Sequence, residues 1–273
     1  MTNWEERINR GGDPLIVIEH VVRYGFAGPL LSGADLWIDA ACGTGYAPSL
    51  VLPQLAEPPR AVLLADADES AVAAAAGALR ELEPRTLVAD LSTDDGLAAL
   101  EAAIGPEDGG RVAITSMETV EHLAHPMRFV RWLCDQAARR DADVVLSVPN
   151  DAFWAMDNPF HLTTWGEGAF EELRRLLPGD HVAAAQFPVN GSCIAVAGGG
   201  ADAVDVRADI STARVPSHFL AAFGPRCEGL QTAAGATVSD LPARRRWEQQ
   251  READLAFLSA EALERNSATG SGA

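Results

Sequence analysis

The sequence is short of cysteine, of basic residues and of long apolar runs. Its four cysteines among 273 residues lack the paired spacing of a zinc site and fit free thiols in a reducing compartment. No stretch approaches the roughly 20 apolar residues that cross a bilayer, and the charged first residues carry no apolar signal-peptide core. We therefore expect a cytoplasmic protein without a membrane-bound part.

Negative charge predominates in the chain. Aspartate and glutamate outnumber lysine and arginine by 39 to 21, which gives a formal net charge of −18. Such a field repels phosphate backbones and anionic membrane surfaces, so we expect neither general nucleic-acid binding nor a membrane partner. Net charge also contributes to solubility in any soluble protein. The excess of acidic residues therefore argues against anionic partners but does not identify a partner.

Segments with the periodicity of helices and of buried strands alternate along the chain. A helix is predicted over 14–31, where apolar residues recur at spacings of three and four. Strands are predicted at 36–38, 62–65, 86–89, 112–116 and 144–148, with helices at 70–82, 96–104 and 126–140. Asp68 is predicted to cap the helix over 70–82. This alternation predicts an α/β fold with a doubly wound, mostly parallel sheet, which binds ligands outside the carboxyl ends of its strands.

The chain after the fifth strand is predicted to complete a seven-stranded sheet with an antiparallel pair. A helix over 167–177 is followed by strands at 181–189 and 192–197, and the Asn190-Gly191 pair between them is a hairpin signal. The predicted domains are a sheet domain (1–200), an irregular segment without an assigned role (201–240), a charged helix (241–265) and a flexible tail (266–273). The charged helix either packs on the sheet domain or joins subunits of a homo-oligomer.

The first predicted strand leads into a turn that contains two glycines. Gly43 and Gly45 leave room for a ligand against bare backbone, and the N–H groups at the start of the next helix favour electron-rich atoms. The dinucleotide fingerprint Gly-x-Gly-x-x-Gly is not met, because its third glycine would fall at Pro48. The turn alone is weak evidence for a nucleotide cofactor, and a nicotinamide dehydrogenase remains a distant alternative.

Three acidic residues strengthen the evidence for a cofactor. Asp39, Asp66 and Asp90 each follow one of three successive strands, and strand ends in a doubly wound sheet meet along one crevice. Acidic residues at strand ends also form turns and cap helices. Three of them in register behind the glycine turn favour a bound adenosine over this simpler explanation.

The stretch Asp-x-Ala-Cys-Gly-Thr-Gly-Tyr resembles the first motif of class I methyltransferases that use S-adenosylmethionine (SAM). The resemblance implies SAM as cofactor, with Asp39 organising the glycine loop and approaching the methionine part. It implies that Asp66 binds the ribose hydroxyls and that Asp90, with Leu91, holds adenine. The predicted cofactor-binding residues are Asp39, Ala41, Gly43, Gly45, Tyr46, Asp66, Ala67, Asp90, Leu91 and Met117.

A second motif follows the fourth predicted strand. Glu118, Glu121 and His122 stand at i, i+3 and i+4, so they would share one face of a helical turn. His161 follows the fifth strand and returns to the same edge of the sheet. These four side chains suit Mg²⁺, Mn²⁺ or Zn²⁺. A site without metal stays open as an alternative, with His122 or His161 as a general base and Glu121 bonded only to the backbone.

Glu-x-x-Glu-His with a later histidine resembles two metal-dependent groups, the ubiquinone-pathway O-methyltransferases and the small-RNA 3′-terminal 2′-O-methyltransferases. In the second group the metal holds both hydroxyls of a vicinal diol. The motif order over 15–177, including Glu19-His20 and Ser147-Val148-Pro149-Asn150, also resembles bacterial methyltransferases found with glycosyltransferases.

These resemblances together imply a SAM-dependent O-methyltransferase that acts on a hydroxyl of a small molecule, with a sugar or sugar-bearing metabolite favoured. His122, Glu121 and His161 are its predicted catalytic residues. Two alternatives stay open. One is O- or N-methylation of a phenolic or polyketide-type product, and the other is a non-catalytic SAM-binding partner of another protein.

Overall fold

The computed structural model describes residues 14–105, 110–155, 158, 160–179, 181–188 and 215–233. All of them belong to the first of two units, Met1–Ala236 and Thr237–Ala273. The described helices are α1 (Pro14–Leu31), α2 (Tyr46–Val51), α3 (Glu69–Ala78), α4 (Asp94–Ala103), α5 (Pro126–Arg140), α6 (Asp151–Trp154) and α7 (Glu167–Arg174). The described strands are β1 (Leu36–Ala40), β2 (Val62–Asp66), β3 (Arg85–Val88), β4 (Val112–Met117), β5 (Asp143–Pro149), β6 (His181–Gln186) and β7 (His218–Phe223).

The seven strands form one sheet in the order β3-β2-β1-β4-β5-β7-β6. Strands β1 to β5 run parallel to their neighbours, whereas β7 is antiparallel to both β5 and β6. Ile38 of β1 aligns with Leu63 of β2 and with Ile114 of β4. The carboxyl ends of the central strands are therefore level, and the loops that follow them meet at one edge of the sheet.

Apolar side chains cover both faces of the sheet. On one face Ile38 and Ile114 belong to a buried cluster with Phe129 of α5. On the other face Trp37 belongs to a cluster with Leu30 of α1. Successive side chains of a strand point to opposite faces, which is why the neighbours Trp37 and Ile38 join different clusters. Helices on both sides confirm the predicted doubly wound, mostly parallel sheet.

Most predicted elements are present with small changes at their ends. The helices predicted over 14–31 and 126–140 are α1 and α5, with the same bounds. The helix predicted over 70–82 is shorter, since α3 ends at Ala78 and a separate 3₁₀ turn covers Arg80–Leu82. Among the described residues, none of the helices combines the length and the apolarity of a membrane span.

Among the described residues, the strand that pairs with β6 is one that was not predicted. It is β7, which lies inside the segment 201–240 predicted to be irregular, and every one of its six residues is buried. A strand buried on both faces is a continuous apolar run without alternation, so His218–Phe223 carried no periodic signal. The sheet thus extends beyond the predicted boundary at residue 200. The predicted strand at 192–197, its hairpin, the charged helix over 241–265 and the tail lie outside the described residues.

Candidate active site

A cavity of about 490 Å³ opens at the carboxyl ends of the central strands. Its wall is built from the glycine turn after β1, the loops after β2, β3 and β4, and the segment around His161. Nine of the ten residues predicted to bind the cofactor line it, namely Ala41, Gly43, Gly45, Tyr46, Asp66, Ala67, Asp90, Leu91 and Met117. The cavity therefore brings the predicted cofactor residues together in one place.

The two glycines of the turn are needed for different reasons. Both have a positive φ, 51° at Gly43 and 68° at Gly45, where side chains are strained. A Cβ at Gly45 would lie 2.8 Å from Cα of Ala75 on α3, so the turn and the helix pack backbone to backbone. A Cβ at Gly43 would meet no atom within 4 Å. The space beside Gly43 is thus left open on the cavity side.

Asp66 and Asp90 stabilise the loops that follow β2 and β3. Asp66 accepts hydrogen bonds from the N–H groups of Gly43 and Asp68, both at 3.0 Å. Asp90 accepts one from the N–H of Ser92 at 2.9 Å. Asp68 caps α3 as predicted, because its carboxylate accepts from the first backbone N–H groups of that helix. The carboxylates of the loops therefore shape the cavity, whether or not they also bind a ligand.

Asp39 is absent from the cavity wall, which corrects its predicted approach to the ligand. It shares a face of β1 with Trp37, two residues before it, and that face is covered by α1. Its carboxylate is fully buried and accepts hydrogen bonds from the hydroxyls of Tyr24 at 3.0 Å and Thr115 at 2.7 Å. Burial raises the pKa of Asp39 from its ordinary 3.8 to about 7.

Three of the four predicted metal ligands converge beside the glycine turn. Ligand atoms of Glu121, His122 and His161 all lie within 4.8 Å of one another. Glu121 is 1% exposed, and neither of its carboxylate oxygens has a hydrogen-bond partner in the described part of the chain. Burial and the nearby Glu118 raise the pKa of Glu121 well above its usual range. An isolated buried carboxylate is costly unless a proton or a cation compensates it.

The two imidazoles of this cluster are oriented by their other ring nitrogens. Nδ1 of His122 lies 3.1 Å from the carbonyl oxygen of Phe160, and Nδ1 of His161 lies 3.0 Å from the carboxylate of Asp151. Both partners can only accept, so each Nδ1 donates the hydrogen bond, which in a neutral imidazole places the lone pair on Nε2. Histidines that bind metals are held in this way by a carbonyl or a carboxylate.

Glu118 does not join the cluster, contrary to its prediction as a fourth ligand. The backbone after β4 turns at Glu118 with a φ of 52°, and only Val120–His122 then form a short 3₁₀ turn. Glu118, Glu121 and His122 therefore do not share a helical face. The carboxylate of Glu118 instead lies 3.0 Å from Nε2 of His218.

Two of the solved structures that resemble the chain share its fold. The methyltransferase domain of bacterial CtHen1 has a TM-score of 0.50 and 15% identity, and the match covers 77% of this chain and 100% of that one. The small RNA methyltransferase HEN1 has a TM-score of 0.53 and 14% identity over 86% of this chain. This chain spans 28% of the length of that HEN1 structure. The fold is that of class I SAM-dependent methyltransferases. No protein-family model matches the sequence, and no curated protein matches it.

The class I methyltransferase fold also brings together residues that had no predicted role. Asp151 orients His161, and His20 lines the cavity with its ring 5.8 Å from that of Tyr46. His20 belongs to a stretch that carried a resemblance, and burial lowers its pKa well below the usual value. His218 stands alone at the start of an apolar run. No sequence signal relates His218 to Glu118, because the order of strands in the sheet makes that contact.

Proposed function

We propose that this protein transfers the methyl group of SAM to a hydroxyl of a small molecule, with a sugar or sugar-bearing metabolite as the favoured acceptor. The observation that carries the proposal is the convergence of Glu121, His122 and His161 on the cavity that the glycine turn lines. A divalent cation held there, Mg²⁺, Mn²⁺ or Zn²⁺, would lower the pKa of an acceptor hydroxyl by several units.

SAM fits the other part of the cavity. The open space beside Gly43 allows a ligand to approach the backbone, and the carboxylates of Asp66 and Asp90 lie at the ends of β2 and β3. We assign Asp66 to the ribose and the Asp90–Leu91 loop to adenine, as the sequence motifs suggest. The two similar structures that share the fold are named as methyltransferases, which supports this assignment.

The residues of the cluster fit a cation better than a general base alone. A general base would need only one imidazole, and such a mechanism would not explain why the carboxylate of Glu121 is buried in the site. Here one ring nitrogen of each imidazole and one carboxylate oxygen of Glu121 lie within 4.8 Å of one another. Two nitrogen ligands and one oxygen ligand suit Mn²⁺ or Zn²⁺, and they also accept Mg²⁺.

A small, uncharged acceptor agrees best with the charge of the protein. Asp66, Asp90, Glu118 and Glu121 place carboxyl groups on the cavity wall, and the whole chain carries −18. A long RNA would be repelled by this field, although one of the similar structures is named for small RNA. A saccharide or another diol needs no basic groove, and its adjacent hydroxyls suit a cation site.

The proposal is tested by methyl transfer from SAM to a panel of sugars and diols, after treatment with EDTA and after addition of Mn²⁺. Glu121→Gln keeps the shape of the side chain and removes its charge, so we expect it to weaken Mn²⁺ binding by roughly tenfold to a hundredfold. Isothermal titration with Mn²⁺ measures this without an acceptor. Glu172→Gln, on the exposed surface of α7, is the matched control.

The outcomes separate the alternatives. Activity that EDTA abolishes and Mn²⁺ restores supports the cation mechanism and directs the search to vicinal hydroxyls. Activity unaffected by EDTA but lost in His122→Ala contradicts it and leaves a general base. Tight SAM binding without turnover on any acceptor favours a non-catalytic partner protein, and turnover on phenolic acceptors alone transfers the assignment to that class.

A further inference from the structure

Ser147 of β5 binds Glu118 at two points, the backbone N–H and one carboxylate oxygen. The Glu118 N–H donates to Oγ of Ser147 at 3.0 Å, and that hydroxyl donates to Oε1 of Glu118 at 2.7 Å. This reciprocal pair holds a φ of 52°, which costs a residue with a side chain about 1–2 kcal/mol. One oxygen of the Glu118 carboxylate is therefore held against β5, and the position of the other oxygen depends on a second partner.

His218 binds the second oxygen of the same carboxylate. Nε2 of His218 lies 3.0 Å from Oε2 of Glu118, and because a carboxylate only accepts, Nε2 donates the proton. The imidazole is 4% exposed and is held from its other side. Its Nδ1 lies 3.0 Å from Oγ of Ser217 and 3.7 Å from a carboxylate oxygen of Glu19, and the ring of Trp154 packs against it at 5.7 Å.

Both oxygens of Glu118 are thus already bonded to protein groups. Burial alone would raise the pKa of Glu118, but His218 and Arg23 outweigh it and hold the pKa well below the usual range. Glu121 is the opposite case, since its two oxygens lack hydrogen-bond partners among the described residues. The two glutamates therefore differ in whether their carboxylate oxygens are available to bind a cation.

We propose that His218 is a positioning residue that holds Glu118 out of the cation site, so that among the described residues Glu121, His122 and His161 are the side chains that bind the cation. The inference rests on the proposed function, and it adds to it the number of protein side chains that bind the cation. Mg²⁺ and Mn²⁺ prefer about six ligands, so three side chains leave about three positions for acceptor oxygens and water. Catalytic metal sites keep such positions open.

The experiment is an isothermal titration of the full chain with Mn²⁺, which measures the affinity of each variant for the cation. Glu118→Gln should change the Mn²⁺ affinity by no more than about threefold, because its carboxylate is not a ligand. His218→Phe should release that carboxylate toward the cation and tighten Mn²⁺ binding by about tenfold. The double variant Glu118→Gln/His218→Phe should lose this gain. His218→Gln, whose amide can still donate, should behave as the wild type does.

Two results would overturn the inference. One is a loss of Mn²⁺ affinity in Glu118→Gln as large as the loss in Glu121→Gln. The other is a His218→Phe protein that folds, as circular dichroism shows, and binds Mn²⁺ with unchanged affinity. If His218→Phe does not fold, the Mn²⁺ affinities of Glu118→Gln and Glu121→Gln are compared instead, and they show whether Glu118 is a ligand. Wild-type protein that binds no Mn²⁺ contradicts the proposed function itself and removes the basis of this assignment.

Discussion

The cofactor half of the cavity and its cation half are held together over different distances along the chain. In the cofactor half, Asp66 accepts from the N–H of Asp68 and Asp90 from that of Ser92, each two residues away, and the bond from the Gly43 N–H to Asp66 spans 23 residues. In the cation half, His122 binds Phe160, 38 residues away, and Glu118 binds Ser147, 29 residues away. The first half is held by contacts within one loop or between the successive β1 and β2 units, whereas the contacts of the second half join segments 29 and 38 residues apart.

This difference explains how each half should respond to substitution. The glycine turn of the cofactor half is packed against α3, so the main effect of a change there should be on folding stability. A change in the cation half removes one of several long-range contacts around a polar cluster, so its main effect should be on ligand affinity. The three predictions that follow test this distinction, from the largest expected effect to the smallest.

Gly45→Ala should destabilise the protein most. A Cβ at this position lies 2.8 Å from Cα of Ala75 and 2.9 Å from its Cβ, and the backbone φ of 68° adds strain. Together we expect a loss of about 4 kcal/mol in the free energy of unfolding, measured by urea denaturation. Gly43→Ala is the matched control, because it shares the positive φ but meets no atom within 4 Å. It should lose only about 1 kcal/mol, and equal losses in the two variants would contradict this account.

Asp39→Asn should change the dependence of stability on pH. The folded protein raises the pKa of Asp39 to about 7, so between pH 4 and 7 it holds a proton that the unfolded chain has lost. The free energy of unfolding contributed by this group therefore falls as the pH rises through that range and stays low above it. The asparagine does not titrate, so the variant should lack this decline in the free energy of unfolding, which is on the order of 2 kcal/mol.

Urea denaturation of both proteins at pH 5 and at pH 8 measures this effect. We expect the difference in stability between wild type and Asp39→Asn to shift in favour of the variant at pH 8. An unchanged difference at the two pH values would assign the titration to another group.

Asp151→Asn should have the smallest effect on stability and a clear effect on the cation site. The carboxylate of Asp151 lies 3.0 Å from Nδ1 of His161 and accepts from the N–H of Trp165 at 2.6 Å. Loss of its charge should weaken Mn²⁺ binding by about tenfold, as measured by calorimetry. Asp135→Asn, on the exposed side of α5, is the control and should bind as the wild type does. A variant that unfolds more easily but binds Mn²⁺ normally would remove the distinction between the halves.

The same distinction accounts for what could be predicted from the sequence. The glycine turn, Asp66 and Asp90 are part of short motifs, and nine of ten predicted cofactor residues line one cavity. Asp39 is the exception, because the motif gave its place in the chain and not the face of β1 on which its side chain lies. Their contacts with a ligand remain a prediction.

Predictions about the cation half were less complete. Glu121, His122 and His161 converge, but Glu118 does not, because the i, i+3, i+4 rule assumes a helix that the positive φ at Glu118 interrupts. His218 could not be predicted, since β7 lies between β5 and β6 in the sheet although β6 precedes it in the chain. The Asn-Gly signal pointed instead to a partner next to β6 in sequence.

The place of β7 also sets an order in time. A chain made from its N-terminus has all five parallel strands available before β7 emerges, whereas β6, whose described neighbour is β7, must wait for it. The glycine turn and its acidic loops can therefore form on a growing chain. The partner of Glu118 arrives last, so the acceptor side of the pocket is completed only near the end of synthesis of the sheet.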